Sequence, residues 1–194
     1  MLFRCLKLIA GILFNSIIRV KVINKENVPE NGAVLLVSNH ESFLDVFFIG
    51  FKLKRKVLWM AKEELFHVKL FAALFTYLGA FPIKRGTGDT TAFRTTIDLL
   101  KRGEIVGIFP QGTRTRGKGR ELKAKLGAAK FAIDSKAEIL PVAISGKIKL
   151  FGKVTINFGK PFHIDSDDNH HYTREELTVM SNEIMNRIYD MIGE

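Results

Sequence analysis

Only one cysteine, Cys5, occurs in the 194 residues. No intrachain disulfide can form, and the chain suits a reducing compartment. Long apolar runs are also missing. The uncharged stretch 8–18 would rise only about 17 Å as a helix, against a hydrocarbon layer of roughly 30 Å. A second uncharged stretch, 70–83, is likewise short for a span. No small-x-small cleavage site follows Ile18 before basic residues return, which argues against a signal peptide. The chain contains no G-x-S-x-G elbow, and Cys5 falls in the leading segment, so it offers no good nucleophile for covalent catalysis. No His, Cys or Asp cluster has metal-ligand spacing, and His170-His171 sits in a polar stretch.

Acidic residues are the scarcer charge, 20 against 30 Lys and Arg, which leaves a formal charge of +10. Such an excess points to an anionic partner: nucleic acid, an anionic bilayer or a phosphorylated ligand. Tyrosine and tryptophan are few, 3 and 1, whereas phenylalanine is abundant at 16. That apolar surplus can face lipid as well as core. With 46% apolar and 26% charged residues, the composition is that of a folding chain, and its length fits one domain.

Residues 1–21 read as an amphiphilic lead helix, with Arg4 and Lys7 at its front and Arg19 and Lys21 at its rear. Lying in a membrane interface suits it better than crossing one. Residues 1–24 are thus assigned to this helix and 25–194 to a single domain. There a turn at Val28-Pro29-Glu30-Asn31-Gly32 precedes a buried strand ending near His40. A helix over 43–53 follows, then a basic cluster, Lys52, Lys54, Arg55 and Lys56, that reads as a solvated helix end or a headgroup contact. Next come a strand over 57–61, a helix opened by Glu63 and Glu64 and closed at Gly79, and a short strand over 80–83. Asp89 caps a helix that turns Phe93, Ile97 and Leu100 inward and ends at Gly103. A strand over 104–109, a small-residue helix over 124–135 and strands over 139–144 and 154–158 complete the alternation. The last helix opens with the capping box Thr173-Arg174-Glu175-Glu176 and carries the stripe Leu177, Met180, Ile184, Ile188 and Met191. The pattern predicts an α/β domain: a mostly buried mixed sheet flanked by helices, preceded by the amphiphilic N-terminal helix.

Chemistry concentrates at Ser38-Asn39-His40-Glu41-Ser42-Phe43-Leu44-Asp45. Five steps of about 100° place His40 and Asp45 on different faces of any continuous helix. They pair only if His40 closes a strand and Asp45 lies in the first turn of the next helix. Ser42-x-x-Asp45 before an apolar run fits such a start, with Ser42 as cap. Asp45 could instead direct its carboxylate to the helix amides. Two basic, glycine-bearing loops each follow a buried strand, where open α/β sheets bind ligands. One holds Lys84 and Arg85; the other holds Gln111, Gly112, Thr113 and Arg114. The arginines offer planar forks suited to phosphate, and Lys84 a point charge.

Four segments, in order, resemble the four blocks of the glycerolipid acyltransferase family. Asn39-His40-Glu41-Ser42-Phe43-Leu44-Asp45 matches NHxxxxD, and Gly79-Ala80-Phe81-Pro82-Ile83-Lys84-Arg85 resembles the block that ends in arginine. Phe109-Pro110-Gln111-Gly112-Thr113-Arg114-Thr115 resembles FPEGTRS, and Ile139-Leu140-Pro141-Val142-Ala143-Ile144 the fourth block. The resemblance implies acyl transfer from a thioester, acyl-CoA or acyl carrier protein, to the hydroxyl of lysophosphatidic acid. His40 would be general base and Asp45 its partner, with Lys84, Arg85, Gln111, Gly112, Thr113 and Arg114 binding substrate. No cofactor or metal is implied, and the protein is expected on the cytoplasmic face of the cell membrane, peripheral or monotopic. Gln111 stands where the family usually has glutamate, which keeps other acceptors open: glycerol phosphate, another lysophospholipid or an amino-acid lipid. A basic nucleic-acid-binding protein using residues 114–125 is a reading from another class, disfavoured because 110–125 holds no aromatic residue to stack on bases. A non-catalytic lipid-binding module is the remaining rival.

Overall fold

The computed structural model describes residues 18–83, 90–115, 117–146, 152–167 and 169–192. Within them, a seven-stranded sheet runs in the order β1-β7-β6-β2-β5-β3-β4. Its strands are β1 (Arg19–Ile23), β2 (Val34–Ser38), β3 (Val57–Lys62), β4 (Ala80–Ile83), β5 (Ile105–Ile108), β6 (Glu138–Gly146) and β7 (Lys153–Phe158). Every neighbouring pair is parallel except β6 and β7. The sheet is mixed and buried at its centre, as the alternation of strand and helix patterns implies. β2 lies between β5 and β6, and all five of its residues are buried. An unbroken apolar run such as Val34-Leu35-Leu36-Val37 is what a strand covered on both faces requires.

Five helices accompany the sheet: α1 (Asp45–Lys52), α2 (Lys69–Leu78), α3 (Thr90–Lys101), α4 (Gly127–Ser135) and α5 (Arg174–Asp190). Ile97 and Leu100 from α3, Ala128 and Phe131 from α4 and Ile184 and Ile188 from α5 share one core with Leu35, Val37, Val106 and Ile139. Phe48 and Ile49 from α1 share the opposite core with Leu36, Trp59, Ile105 and Leu140. α5 begins with the expected capping box, in which the Thr173 N–H and hydroxyl hold the Glu176 carboxyl below the usual carboxylate range. Its buried face runs through Leu177, Ser181, Ile184, Met185, Ile188 and Tyr189. Met180 and Met191 of the expected stripe are only partly buried.

Two local expectations change. Arg19–Ile23, the rear of the expected lead helix, is β1, paired in register with Lys153–Asn157 of β7. The alternating Val20, Val22 pattern supplies strand pairing there, so the sheet begins before residue 25. Residues 1–17 and the cap Asp89 lie outside the described residues. Glu63–Phe66 forms a separate 3-10 turn, and α2 starts only at Lys69. It does end where glycine allows: Gly79 has φ +99°, and a Cβ there would lie 2.7 Å from the Val57 carbonyl oxygen.

The cluster after α1 is partly structural. Arg55 donates to the Pro29 carbonyl at 3.2 Å, the Gly32 carbonyl at 2.8 Å and the Gly103 carbonyl. One guanidinium thereby ties the entries to β2, β3 and β5 at the edge remote from His40. Arg55→Met keeps the stem but removes all five donors, and is expected to lower unfolding stability by roughly 1–3 kcal/mol, read from urea midpoints. An unchanged midpoint would show that solvent replaces the clamp at no cost.

Candidate active site

β2 stops at Ser38, and the chain turns through residues 39–44 before α1 begins at Asp45. This break in regular structure brings together two side chains that a helix would separate. His40 Nδ1 lies 2.9 Å from Asp45 Oδ2. The same oxygen accepts the backbone N–H groups of Glu41 at 2.7 Å and Ser42 at 2.8 Å. The helix amides and the imidazole therefore share Asp45 Oδ2 rather than compete for it. Asp45 is fully buried and the His40 side chain is 15% exposed. An ionised carboxylate accepting at Nδ1 fixes the tautomer whose lone pair is on Nε2.

Ser42 acts differently from a helix cap. Its hydroxyl accepts the Leu44 N–H at 3.2 Å, while Leu44 is the N-cap and makes no side-chain cap bond. Only the reciprocal half of the expected box is present, Asp45 accepting from the Ser42 N–H. The first turn of α1 is thus closed by the catalytic-type carboxylate itself.

Three of the four sequence blocks converge on this turn. Asn39 is 1% exposed and clamps Ile144 at the end of β6, donating to its carbonyl and accepting from its N–H, both at 2.8 Å. The Thr115 N–H donates to the His40 carbonyl at 2.7 Å, and the Thr115 hydroxyl donates to Glu41. Phe109, the residue after β5, stacks on the His40 ring with centroids 4.0 Å apart and 14° between planes. Trp59 of β3 stacks on the other side of Phe109 at 5.2 Å and 11°. Gly107 makes room for the indole, since a Cβ on it would approach Trp59 to 2.5 Å.

The loop after β5 divides into inward and outward residues. Gln111, for which substrate binding is expected, is 5% exposed: its amide nitrogen lies 3.2 Å from the Gly119 and Leu122 carbonyl oxygens and 2.8 Å from the Tyr189 hydroxyl, three acceptors sharing two hydrogens, while its Oε1 is buried with no partner among the described residues. Shape explains this, because α5 brings Tyr189 beneath the loop and leaves acceptors that an amide N–H₂ can fill. Gly112 turns the chain at φ +68°, and Thr113 and Arg114 are exposed. Arg114 adjoins Thr115, whose N–H donates to the His40 carbonyl, so the Arg114 backbone lies next to the His40 turn. Lys84 and Arg85 lie outside the described residues; β4 ends just before them at Ile83.

An apolar groove starts at His40 and Phe109 and runs down β3 between α1 and α2. Phe43, Phe47 and Phe51 form one wall, Leu65, Phe75 and Leu78 the other, and Val57, Trp59 and Ala80 the floor. Its space, open mouth included, is about 980 Å³. Gly50 also lines the groove, where a Cβ would lie 3.8 Å from the Trp59 indole nitrogen. The sequence reading did not single out Asn39, Glu41, Phe109, Thr115 or this groove; the phenylalanine surplus was its only trace. Among the described residues no group of three or more His, Cys, Asp or Glu is placed to hold a metal ion, and His170 pairs with Glu176 at 3.1 Å.

His40 and the buried Asp45 thus stand at the mouth of an apolar groove, with the exposed Arg114 in the neighbouring loop. The Acyltransferase family model matches residues 19–145, and the chain belongs to that family. It is 36% identical over 178 residues to the 1-acyl-sn-glycerol-3-phosphate acyltransferase of Bacillus subtilis, covering 89% of this chain and 87% of that one. The Streptococcus pneumoniae enzyme of the same name is 31% identical over 169 residues, 83% of this chain and 61% of that one. Among solved structures, the 1-acyl-sn-glycerophosphate (LPA) acyltransferase of Thermotoga maritima superposes with a TM-score of 0.68 at 25% identity, covering 90% of this chain and 73% of that one.

The Asn39 clamp yields a direct expectation. Asn39→Ala leaves the Ile144 N–H and carbonyl buried without their partners, and should cost roughly 2–4 kcal/mol of stability in urea unfolding. A variant as stable as the parent would mean that β6 holds its own end and the clamp is dispensable.

Proposed function

We propose that the protein transfers a fatty acyl chain from an acyl thioester, acyl-CoA or acyl carrier protein, to the free hydroxyl of lysophosphatidic acid, giving phosphatidic acid. The observation that carries this reading is the 2.9 Å contact between His40 Nδ1 and Asp45 Oδ2 at the head of an apolar groove. The names of the Bacillus subtilis and Streptococcus pneumoniae relatives, both 1-acyl-sn-glycerol-3-phosphate acyltransferases, support it.

With Nδ1 donating to Asp45, Nε2 takes the proton of the acceptor hydroxyl as its oxygen attacks the thioester carbonyl. Asp45, held by two backbone N–H groups as well, stabilises the imidazolium that forms. The carbon–sulfur bond then breaks, the ester remains on the acceptor, and the imidazolium proton goes to the departing thiolate. Stacking on Phe109 limits rotation of the ring, which keeps Nε2 directed at one position. The donor's alkyl chain lies in the groove, against aromatic and aliphatic walls that desolvate it. Arg114 presents a planar fork to the acceptor phosphate. Gln111, facing inward, is a support of that loop and gives no reason to prefer a different acceptor.

Mass spectrometry of products from purified protein, mixed acyl thioesters and mixed lysolipids tests the reading. Phosphatidic acid is the expected product; its absence while another acceptor is esterified would move the protein to a different substrate. In the same assay His40→Ala should fall to background, and Asp45→Asn should lose roughly 100- to 10,000-fold in kcat. Full activity in His40→Ala would remove the base from the mechanism. Arg114→Gln should raise KM for lysophosphatidic acid about tenfold, ~1.4 kcal/mol, and leave a neutral lysolipid unaffected. An equal change for both would mean that Arg114 does not read the phosphate.

A further inference from the structure

α2 buries no residue completely, although ten residues in succession, Lys69–Leu78, contain only one charge. Its two sides face different surroundings. Phe75 and Leu78, with Leu65 before the helix, line the groove that starts at His40. On the outer side, Leu70 is 76% exposed, Val68 55%, Phe71 51% and Leu74 46%. Scattered apolar residues on a surface are ordinary, but four within seven positions of one short helix form a contiguous patch. Phe43, at the groove's mouth, adds another large exposed ring.

The sheet sets where this patch lies. β3 runs toward the same edge as β2, so Lys62 and the start of α2 are at the edge that carries His40. β7 is antiparallel to β6, and β1 is parallel to β7, so Arg19 also begins at that edge, on the opposite flank of the sheet. Strands β1 and β4 are six positions apart, about 29 Å at 4.8 Å per strand, so the exposed Arg19 and the apolar outer patch flank the catalytic turn on one edge, too far apart for a small ligand and in line for a flat partner. Lys69 opens α2 and is exposed, Lys62 lines the groove and pairs with Glu64 at 2.7 Å, no acidic residue lies within α2, and the whole chain has a formal charge of +10. A surface rich in anionic lipid matches both the apolar face and its basic border.

We infer that the outer face of α2, through Val68, Leu70, Phe71 and Leu74, inserts into the headgroup boundary of an anionic bilayer and sets the groove's mouth at the level of the lipid chains. The inference rests on the acyl-transfer reading of the groove. It gives that site a route for its substrates: an acyl chain slides between α1 and α2 without crossing water. None of the four residues lines the groove, so docking and chemistry are separable.

The test uses the full chain with Leu70→Gln and Leu74→Gln combined, which leaves net charge and helix propensity nearly unchanged. Sedimentation with phosphatidylglycerol-containing vesicles should show roughly tenfold weaker partitioning. Turnover of vesicle-borne lysophosphatidic acid should fall in parallel, whereas turnover of monomeric short-chain substrates should match the parent. A second readout is independent of loss: Leu70→Trp should be quenched by bilayer lipids brominated on their chains, beyond the quenching of the buried Trp59. Parental partitioning in the double variant, or an unquenched Trp at position 70, would overturn the inference. Failure of the parent protein to turn over any lysophospholipid would instead defeat the acyl-transfer reading, since vesicle binding is measured separately.

Discussion

One carboxylate oxygen holds the catalytic turn in shape. Asp45 Oδ2 accepts from Glu41 N–H, Ser42 N–H and His40 Nδ1 within a five-residue loop. A buried carboxylate needs such donors to remain ionised. Here the donors gathered on Oδ2 also close the first turn of α1 and orient the imidazole, while Oδ1 is buried with no partner among the described residues. Helix start and base orientation are thus one arrangement, and neither can be lost without the other.

The surrounding sheet keeps that loop from moving as a unit. β2 delivers it from the centre, Asn39 fastens it to the end of β6, and Thr115 fastens it to the loop after β5. α5 secures that second loop from below through Tyr189 on Gln111, and through Asn182 on the Ala124 N–H at 2.8 Å. The base is therefore supported from three strands and the C-terminal helix. Most of these ties are backbone or buried side-chain bonds, the kind that is costly to leave unmade.

Aromatic packing links the same turn to the groove. The His40, Phe109 and Trp59 rings form one stack, and Trp59 belongs to the groove's floor. Walls from α1 and α2 continue from it as apolar surface. The outer side of α2 leaves Leu70, Phe71 and Leu74 exposed, so the apolar character of this helix exceeds what the groove itself uses.

Strand and helix alternation, the break between His40 and Asp45, the glycine at 79 and the capping box at Thr173 were all legible in the residues, because each depends on local periodicity or backbone preference. So was the order of the four blocks, although Lys84 and Arg85 of the second lie outside the described residues. Arg19–Ile23 was not, since a strand at a sheet edge is made by its partner β7, far along the chain. The fate of Gln111 depended on Tyr189, 78 positions away, and that of Asn39 on Ile144, 105 positions away. Residue types alone determined that a histidine and an aspartate able to exchange protons, and arginines of a shape that suits phosphate, were available. Tertiary contacts decided which oxygen holds the base, which loop residues face inward and where an alkyl chain can lie, because those are properties of surfaces that only folding brings together.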